Sequence, residues 1–314
     1  MSSARAATGA PAGRIAKRDV LGVSVVIPAY NEVEVIADTI EQISGMFREA
    51  GLEAVDLIVV DDGSHDDTGK LAESSGARMI RHPHNAGYGR SLKDGIMAAR
   101  HDTVVITDAD GTYPLDIIPK LLDLYAKGFD MVVGARTGTA YHGPFAKRAM
   151  RVLLKFLVEF TSGRKVPDVN SGLRVFSRGT IQPYFPHLSE GFSFTTSMTL
   201  AYMMTGKFVT YLSIPYYERV GHTKVKLFRD SLRTLQFIVE AIVYYNPIKI
   251  FILISLICGV LMLLALAAGF GFRIVGLEVV GAGLGICVVL VFCLGLIAVL
   301  LKQIMDIGRR SSAE

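Results

Sequence analysis

Three short segments hold residues whose types and spacing could do chemistry. Asp108-Ala109-Asp110 places two carboxylates one residue apart. Carboxylates that close repel each other unless a cation lies between them, and Mg²⁺ or Mn²⁺ bound by one or two carboxylates plus substrate phosphates is the usual arrangement. Spacing alone leaves that reading open. Asp61-Asp62-Gly63-Ser64 is a second acidic group, and the Ser64/Asp67 spacing lets it serve equally as a plain turn with a helix cap. Pro28-Ala29-Tyr30-Asn31-Glu32 adds an aromatic ring and another acid. Other site chemistries fail on residue type. The seven histidines form no ligand cluster, and Cys258, Cys287 and Cys293 all lie in apolar C-terminal runs, which excludes a disulfide framework and a Cys-ligated zinc site. Gly87-Tyr88-Gly89 has Leu92 where a dinucleotide fingerprint needs its third glycine, and no Walker A lysine motif exists.

Each acidic or aromatic segment follows a short β-branched run. Val23-Ser24-Val25-Val26-Ile27, Leu57-Ile58-Val59-Val60, Ala77-Arg78-Met79-Ile80, Thr103-Val104-Val105-Ile106 and Met131-Val132-Val133 read as buried parallel strands. Amphipathic stretches separate them. Asn31 with Glu34 predicts a helix start, after which Val33, Ile36, Ile40 and Ile43 share one face. The array predicts an α/β fold, a largely parallel sheet covered by helices on both faces. Ligands of such sheets sit beyond the carboxyl ends of the strands, where these segments fall.

The 314-residue chain is 51% hydrophobic and 20% charged, with a mean hydropathy of +0.40, so a soluble part and a membrane part must coexist. Residues 1–19 carry Arg5, Arg14, Lys17 and Arg18 without an apolar core, which predicts a flexible cytosolic lead rather than a signal peptide. The stretch 248–270 has only Lys249 as a charge and 279–301 has none, and about 20 apolar residues span a bilayer core. A transmembrane helical hairpin joined by residues 271–278 is predicted. Lys249, Lys302, Arg309 and Arg310 at one end, against Arg273 at the other, put both termini in the cytoplasm. A transporter is disfavoured, since spans without internal charge leave no pathway. Two further stretches combine apolar faces with basic residues and are expected at the membrane surface: Phe228, Leu232, Leu235, Val239 and Ile242 beside Lys224, Lys226, Arg229 and Arg233, and residues 147–156 with Lys147, Arg148, Arg151 and Lys155. For each, a solvated helix packed on the domain is the alternative. The division expected is a lead (1–19), a catalytic domain (20–223), juxtamembrane helices (224–247), two spans (248–301) and a cytosolic tail (302–314). A net charge of +4 is mild and no nucleic-acid partner is expected. Gly281, Gly283 and Gly285 are small residues through which spans of neighbouring copies could pack into a homo-oligomer.

Four motifs in order, 25–32, 59–64, 84–89 and 107–114, resemble the family 2 glycosyltransferases. More narrowly, Asp168-Val169-Asn170-Ser171-Gly172-Leu173-Arg174, then Arg219-Val220-Gly221-His222-Thr223-Lys224 and a two-span tail, are similar to the polyprenyl-phosphate (dolichol-phosphate) hexosyltransferase branch. The resemblance implies a GT-A fold and inverting transfer of a hexose from a nucleotide-sugar, of UDP-glucose or GDP-mannose type, to a polyprenyl phosphate at the cytosolic membrane face. It implies roles residue by residue. Pro28, Tyr30, Glu32 and Asp62 line the base and ribose pocket, with Asp61 fixing its wall. Asp108 and Asp110 hold the Mg²⁺ or Mn²⁺ that bridges the diphosphate, and Asp110, Asp168 and Arg136 count as the catalytic residues. Arg136 is directed to phosphate or sugar, Asp168 orients acceptor or sugar hydroxyls, and Arg219 and Lys224 grip the acceptor phosphate. On residue type alone Arg136 could equally coat the surface and Asp168 cap a loop.

Departures from the pattern matter too. Thr112 stands where the family often has an amide or an acid, which leaves the third protein ligand to the metal open, and Thr195 or Thr196 stands near a position often taken by glutamate. A processive polysaccharide synthase ends its site with Gln-x-x-Arg-Trp, which a chain without tryptophan lacks. A non-catalytic, membrane-tethered nucleotide-sugar-binding or assembly subunit, or a family 2 transferase with another acceptor, are the alternatives.

Overall fold

The computed structural model describes residues 22–52, 54–138, 145–218 and 227–311, with the side chains of 145–151, 227–231, 306 and 308–311 outside that description. The lead 1–19 therefore lies outside it, as do Arg219 and Lys224. Among the described residues a seven-stranded sheet forms in the order β3-β2-β1-β4-β6-β5-β7. Strands β1 (Val23–Ala29), β2 (Val55–Asp61), β3 (Arg78–Arg81) and β4 (Thr103–Ile106) run parallel, as their apolar runs predict. Strand β5 (Met131–Thr137) and β7 (Val209–Pro215) are parallel to each other. Between β4 and β5 lies β6 (Arg174–Ser177), antiparallel to both. That reversal brings the residues preceding β6 to the edge where the parallel strands end.

The β-branched runs are apolar on both faces because both faces are covered. Val25, Ile27, Val59, Val105, Val132 and Val175 pack under α1 (Ile36–Glu49) and α4 (Ile118–Ala126). Val26, Ile58, Val60, Ile106, Val133 and Phe176 pack under α3 (Tyr88–Ala98), and under a later helix (Phe194–Met204) through Phe194 and Met198. The α2 helix (Thr68–Ser74) lies between β2 and β3. Ile36, Ile40 and Ile43 are fully buried on one stripe of α1, each such side chain contributing about 1.5–3 kcal/mol. The start of α1 differs from the expectation. Asn31 adopts a left-handed backbone (φ 50°), its Oδ1 accepts from the His65 N–H at 2.8 Å, and the helix begins only at Ile36, with no side-chain cap from Val35. The turn spends Asn31 on joining two loops.

The chain continues through α5 (Phe145–Ser162), the short α6 (Arg178–Ile181), α7 (Phe194–Met204) and α8 (Leu227–Tyr245). Of the stripe predicted to face a membrane from α8, Ile242 is buried and Leu235 packs beside it, while Leu232 stays exposed and the Phe228 side chain lies outside the described residues. With Ile238, which the predicted stripe did not include, Ile242 packs against Leu154 and Val158 of α5 and Leu200 and Met203 of α7. Helix α7 is buried on every side, so α8 serves as its outer cover. On α5, Val152, Leu153 and Phe156 remain exposed.

Two apolar helices follow, α9 (Pro247–Phe272) and α10 (Val275–Ser311), each long and apolar enough to cross a membrane and each almost entirely unburied by the rest of the chain. Their connection is shorter than the predicted 271–278. Only Arg273, left-handed at φ 55°, and Ile274 separate them, because Gly271 and Phe272 continue α9 and nothing in 275–278 breaks a helix. Two lysines tie the hairpin to the domain. Lys249 Nζ donates to the carbonyls of Phe160 and Thr161 at 3.3 and 2.7 Å, at the end of α5, and Lys302 Nζ donates to the Tyr245 carbonyl at the end of α8. Helix C-termini present unpaired carbonyls and partial negative charge, so both contacts are favourable.

The glycines of α10 divide between two uses. A Cβ on Gly281 would lie 2.7 Å from the Leu266 side chain and one on Gly285 3.1 Å from Met262 Sδ, whereas one on Gly283 would meet nothing. Gly281 and Gly285 thus close the hairpin within the chain and leave Gly283 on the outer face. Replacing Gly281 with Leu is expected to destabilise the hairpin by about 1–3 kcal/mol through overpacking. Gly283→Leu should stay within about 0.5 kcal/mol of the parent in the same thermal melt.

Candidate active site

The sheet order places β1 between β2 and β4, so the three motif-bearing strand ends lie side by side. At the end of β1, Pro28, Tyr30 and Glu32 are half-buried along the edge. Their loop is stitched to the β2 loop. The Asn31 N–H donates to Ser64 Oγ and the Glu32 N–H to Thr68 Oγ1, both at 2.9 Å, and the Tyr30 ring meets His65 edge-on at 6.3 Å. Asp61 and Asp62 are both buried and act as scaffolding. Asp61 Oδ1 accepts from the Ser64 N–H at 2.9 Å, the turn that the local spacing allowed. Asp62 accepts from the N–H groups of Ala86 and Gly87 at 2.8 and 2.9 Å and lies 2.7 Å from His82 Nδ1. The carboxylate thus holds the 82–87 loop in place. That loop delivers Tyr88.

Tyr88 was not singled out by its sequence context, yet its hydroxyl donates to Asp108 Oδ1 at 2.8 Å and its ring stacks on Phe192 at 5.7 Å. Burial first, and then the Asp108 charge, push the Tyr88 phenol well above its ordinary pKa, so it remains a donor. The other Asp108 oxygen faces Gly172. A Cβ there would lie 2.6 Å from Oδ2, so only glycine permits this approach. The Gly172 N–H donates to the Tyr113 hydroxyl at 2.7 Å, which fixes the contact from the far side. Asp110 is buried, and its Oδ1 accepts from the Thr112 hydroxyl at 2.6 Å. Thr112, where a third metal ligand was in question, is therefore a support for Asp110. Among the described residues no group of three His, Cys, Asp or Glu side chains surrounds one point. Two hard oxygen donors at one strand end suit a divalent cation that completes its shell from phosphate and water.

Arg136 and Asp168 form a pair. Arg136 Nε and Nη2 donate to the two carboxylate oxygens at 2.7 and 3.0 Å, and the Arg136 N–H adds a third bond at 3.2 Å. Asp168 is 2% exposed. Burial alone would raise its pKa, but the Arg136 charge and these hydrogen bonds outweigh it and hold the carboxyl below the usual range. The Arg136 guanidinium lies 5.2 Å from the Tyr216 ring centroid, and Tyr216 meets Tyr113 edge-on. Arg136 ends β5 and Asp168 precedes β6, so the reversed strand makes the pairing possible. Tyr113 sits inside the 107–114 motif, a signal that could have marked it. Tyr216 carried none. Arg219 and Lys224, assigned to the acceptor phosphate, lie outside the described residues.

Comparison with known proteins agrees with this geometry. The Glycosyl transferase family 2 profile matches residues 24–185, just over half of the chain. A dolichyl-phosphate hexose transferase of Haloferax volcanii is 32% identical over 206 residues, covering 65% of this chain and 87% of that protein. An undecaprenyl-phosphate 4-deoxy-4-formamido-L-arabinose transferase of Sodalis glossinidius is 32% identical over 165 residues, 51% of this chain but only 50% of its own. Among solved structures, glucosyl-3-phosphoglycerate synthase from Mycobacterium tuberculosis, in complex with Mn²⁺, UDP and glucosyl-3-phosphoglycerate, superposes with a TM-score of 0.58 at 23% identity over 70% of this chain and 79% of that one. At that identity the likeness shows the fold, a GT-A-like sheet with its helices. With the profile match, the ordered strand-end motifs and the sheet that aligns them, this chain belongs to glycosyl transferase family 2.

Proposed function

We propose that the chain is an inverting hexosyltransferase that moves a sugar from a nucleotide-sugar of UDP-glucose or GDP-mannose type to a polyprenyl phosphate at the cytosolic face of a membrane. The observation that carries this reading is the meeting, at one sheet edge, of the Asp108/Asp110 strand end with the buried Arg136–Asp168 pair, in a chain that ends in two apolar helices. The Haloferax relative named for dolichyl-phosphate hexose transfer supports the acceptor class.

Transfer by inversion is one displacement: an acceptor phosphate oxygen bonds to the anomeric carbon as the bond to the diphosphate breaks and the diphosphate leaves with the electron pair. The acceptor is already an anion at neutral pH, so no side chain has to remove a proton, and positioning and charge control dominate. Asp108 and Asp110 would hold Mg²⁺ or Mn²⁺, which neutralises charge developing on the departing diphosphate. Pro28, Tyr30 and Glu32 offer the nucleoside an edge whose shape Asp61 and Asp62 maintain. Arg136, held in one orientation by Asp168, presents a fixed cation to phosphate or sugar, and Asp168 works through it. Arg219 and Lys224 are assigned the acceptor phosphate.

Lys249 and Lys302 at the domain end of the hairpin, against Arg273 alone at its far end, favour a cytosolic domain with cytosolic termini. Domain 20–223 would then stand on juxtamembrane helices 224–247 above spans within 248–301.

The direct test supplies radiolabelled UDP-glucose, UDP-galactose, UDP-GlcNAc and GDP-mannose to the purified protein with polyprenyl phosphate. Label in an acid-labile lipid product is expected, and transfer confined to a peptide or free glycan would overturn the acceptor assignment. Asp110→Asn should lower turnover by about 100-fold or more while the protein stays folded, and a chelator should stop the parent enzyme. Wild-type rates in chelator would remove the metal from the mechanism. Asp168→Asn leaves Arg136 buried without its partner charge and should cost about 3–5 kcal/mol at neutral pH. Because the folded Asp168 pKa lies below its ordinary 3.8, that contribution is complete above this value and is lost as pH falls through the lower folded one. Acid-unfolding curves of parent and variant should therefore converge below about pH 4.

A further inference from the structure

Asn170 is exposed, yet nearly every freedom it has is taken away. Its N–H donates to Asp168 Oδ1 at 3.1 Å. The carbonyls on either side, of Val169 and Ser171, each accept at 2.8 Å from Arg174, a fully buried arginine whose remaining partners are the Thr199 hydroxyl and Met131 Sδ. Ser171 Oγ is bound to the Gly134 carbonyl at 2.5 Å, and the Gly172 N–H to Tyr113. The side chain is held as well: the buried Thr196 hydroxyl, at the start of α7, donates to Asn170 Oδ1. With the amide oxygen engaged, Nδ2 is the end left without a partner among the described residues. Two residues on, Gly172 abuts Asp108, and two residues back Asp168 holds Arg136, so Asn170 belongs to the loop that borders the strand-end carboxylates.

An exposed amide gains nothing for folding from such restraint, while a ligand-binding group gains pre-organisation. Charge narrows the ligand. The diphosphate is provided for by Asp108, Asp110 and Arg136, and a neutral amide donor matches a neutral hydroxyl oxygen better than an anion. We infer that Asn170, oriented by Thr196, donates a hydrogen bond to a hydroxyl of the sugar carried by the nucleotide donor and thereby helps select that sugar. The inference rests on the proposed function and adds a specificity residue to it. Thr196 is a positioning residue acting through Asn170. A site that hydrogen-bonds a substrate hydroxyl discriminates strongly against sugars lacking it at that position, because the donor is then left unpaired.

The test uses the full chain with Mn²⁺ and measures affinity for two ligands: the nucleotide-sugar from the panel that serves as donor, and its nucleoside diphosphate, UDP or GDP. In Asn170→Asp and Asn170→Ala, affinity for the nucleotide-sugar should fall about 10-fold, the worth of one hydrogen bond, with affinity for the diphosphate unchanged. Thr196→Val should reproduce that selective loss, and Thr196→Ser, which keeps the hydroxyl, should not. Equal losses for both ligands would show that the loop merely holds the wall together and would overturn the inference. So would parent affinity for both ligands in Asn170→Asp. Should the parent bind none of the four nucleotide-sugars, the proposed function falls together with this inference, whereas parent binding with indifferent variants defeats the inference alone.

Discussion

The architecture of the site depends on the direction of one strand. Every other strand that borders the site contributes through its carboxyl end: 28–32 at the end of β1, 61–64 at the end of β2, 107–110 after β4, and Arg136 near the end of β5. Strand β6 runs the other way, paired antiparallel from Ile106 to Arg174 on one side and from Val133 to Arg174 on the other. Its preceding loop, 168–173, is thereby brought to the edge that the others reach with their ends. Gly172 can then touch Asp108, and Asp168 can meet Arg136. A parallel β6 would carry that loop to the opposite edge of the sheet.

Buried charge within that loop is handled in two ways. Asp168 is matched by a forked guanidinium, and its lowered pKa reports that pairing outweighs desolvation. Arg174 is fully buried and satisfied by backbone carbonyls and a hydroxyl. Removing a guanidinium from water is costly unless its donors are used. A buried arginine gripping two carbonyls, of Val169 and Ser171, therefore specifies one loop conformation more strictly than apolar packing could. Asp62 shows the same principle with opposite sign, an acid spent on backbone N–H groups of the next loop. In each case the polar atoms facing the protein fix geometry for the groups that face the site.

The hairpin is coupled to this domain by helix ends. Lys249 opens α9 and Lys302 follows the uncharged run 279–301 of α10, and both place their ammonium groups on the terminal carbonyls of α5 and α8. The lysines at the domain end of the hairpin are thus the ones that join it to the domain. Helix α8 reaches inward as well, since Ser193, next to the loop that stacks on Tyr88, shares a 2.7 Å hydrogen bond with Thr234. Contacts run without a break from the hairpin mouth through α8 to the ring whose hydroxyl bonds Asp108.

Local pattern determined a good deal. β-branched runs marked β1 to β5, and acids one residue apart marked the strand end that carries Asp108 and Asp110. Long uncharged stretches marked both apolar helices. Each is a property of neighbours in the chain, where periodicity and spacing act directly. The four ordered motifs also pointed to the family, but not to the task of each residue within them. That Asp62 anchors the 82–87 loop had no local signal, and Asn31 was read as part of a helix start and bridges two loops. Arg136 and Asp168 stood as separate candidates, 32 residues apart, and form one buried pair. The Ile238 and Ile242 stripe of α8 has the same helical period whether a membrane or α7 receives it. Which partner a side chain meets follows from strand order and strand direction, and these come from burying the sheet on both faces at once, a condition on the whole chain that no short window of residues contains.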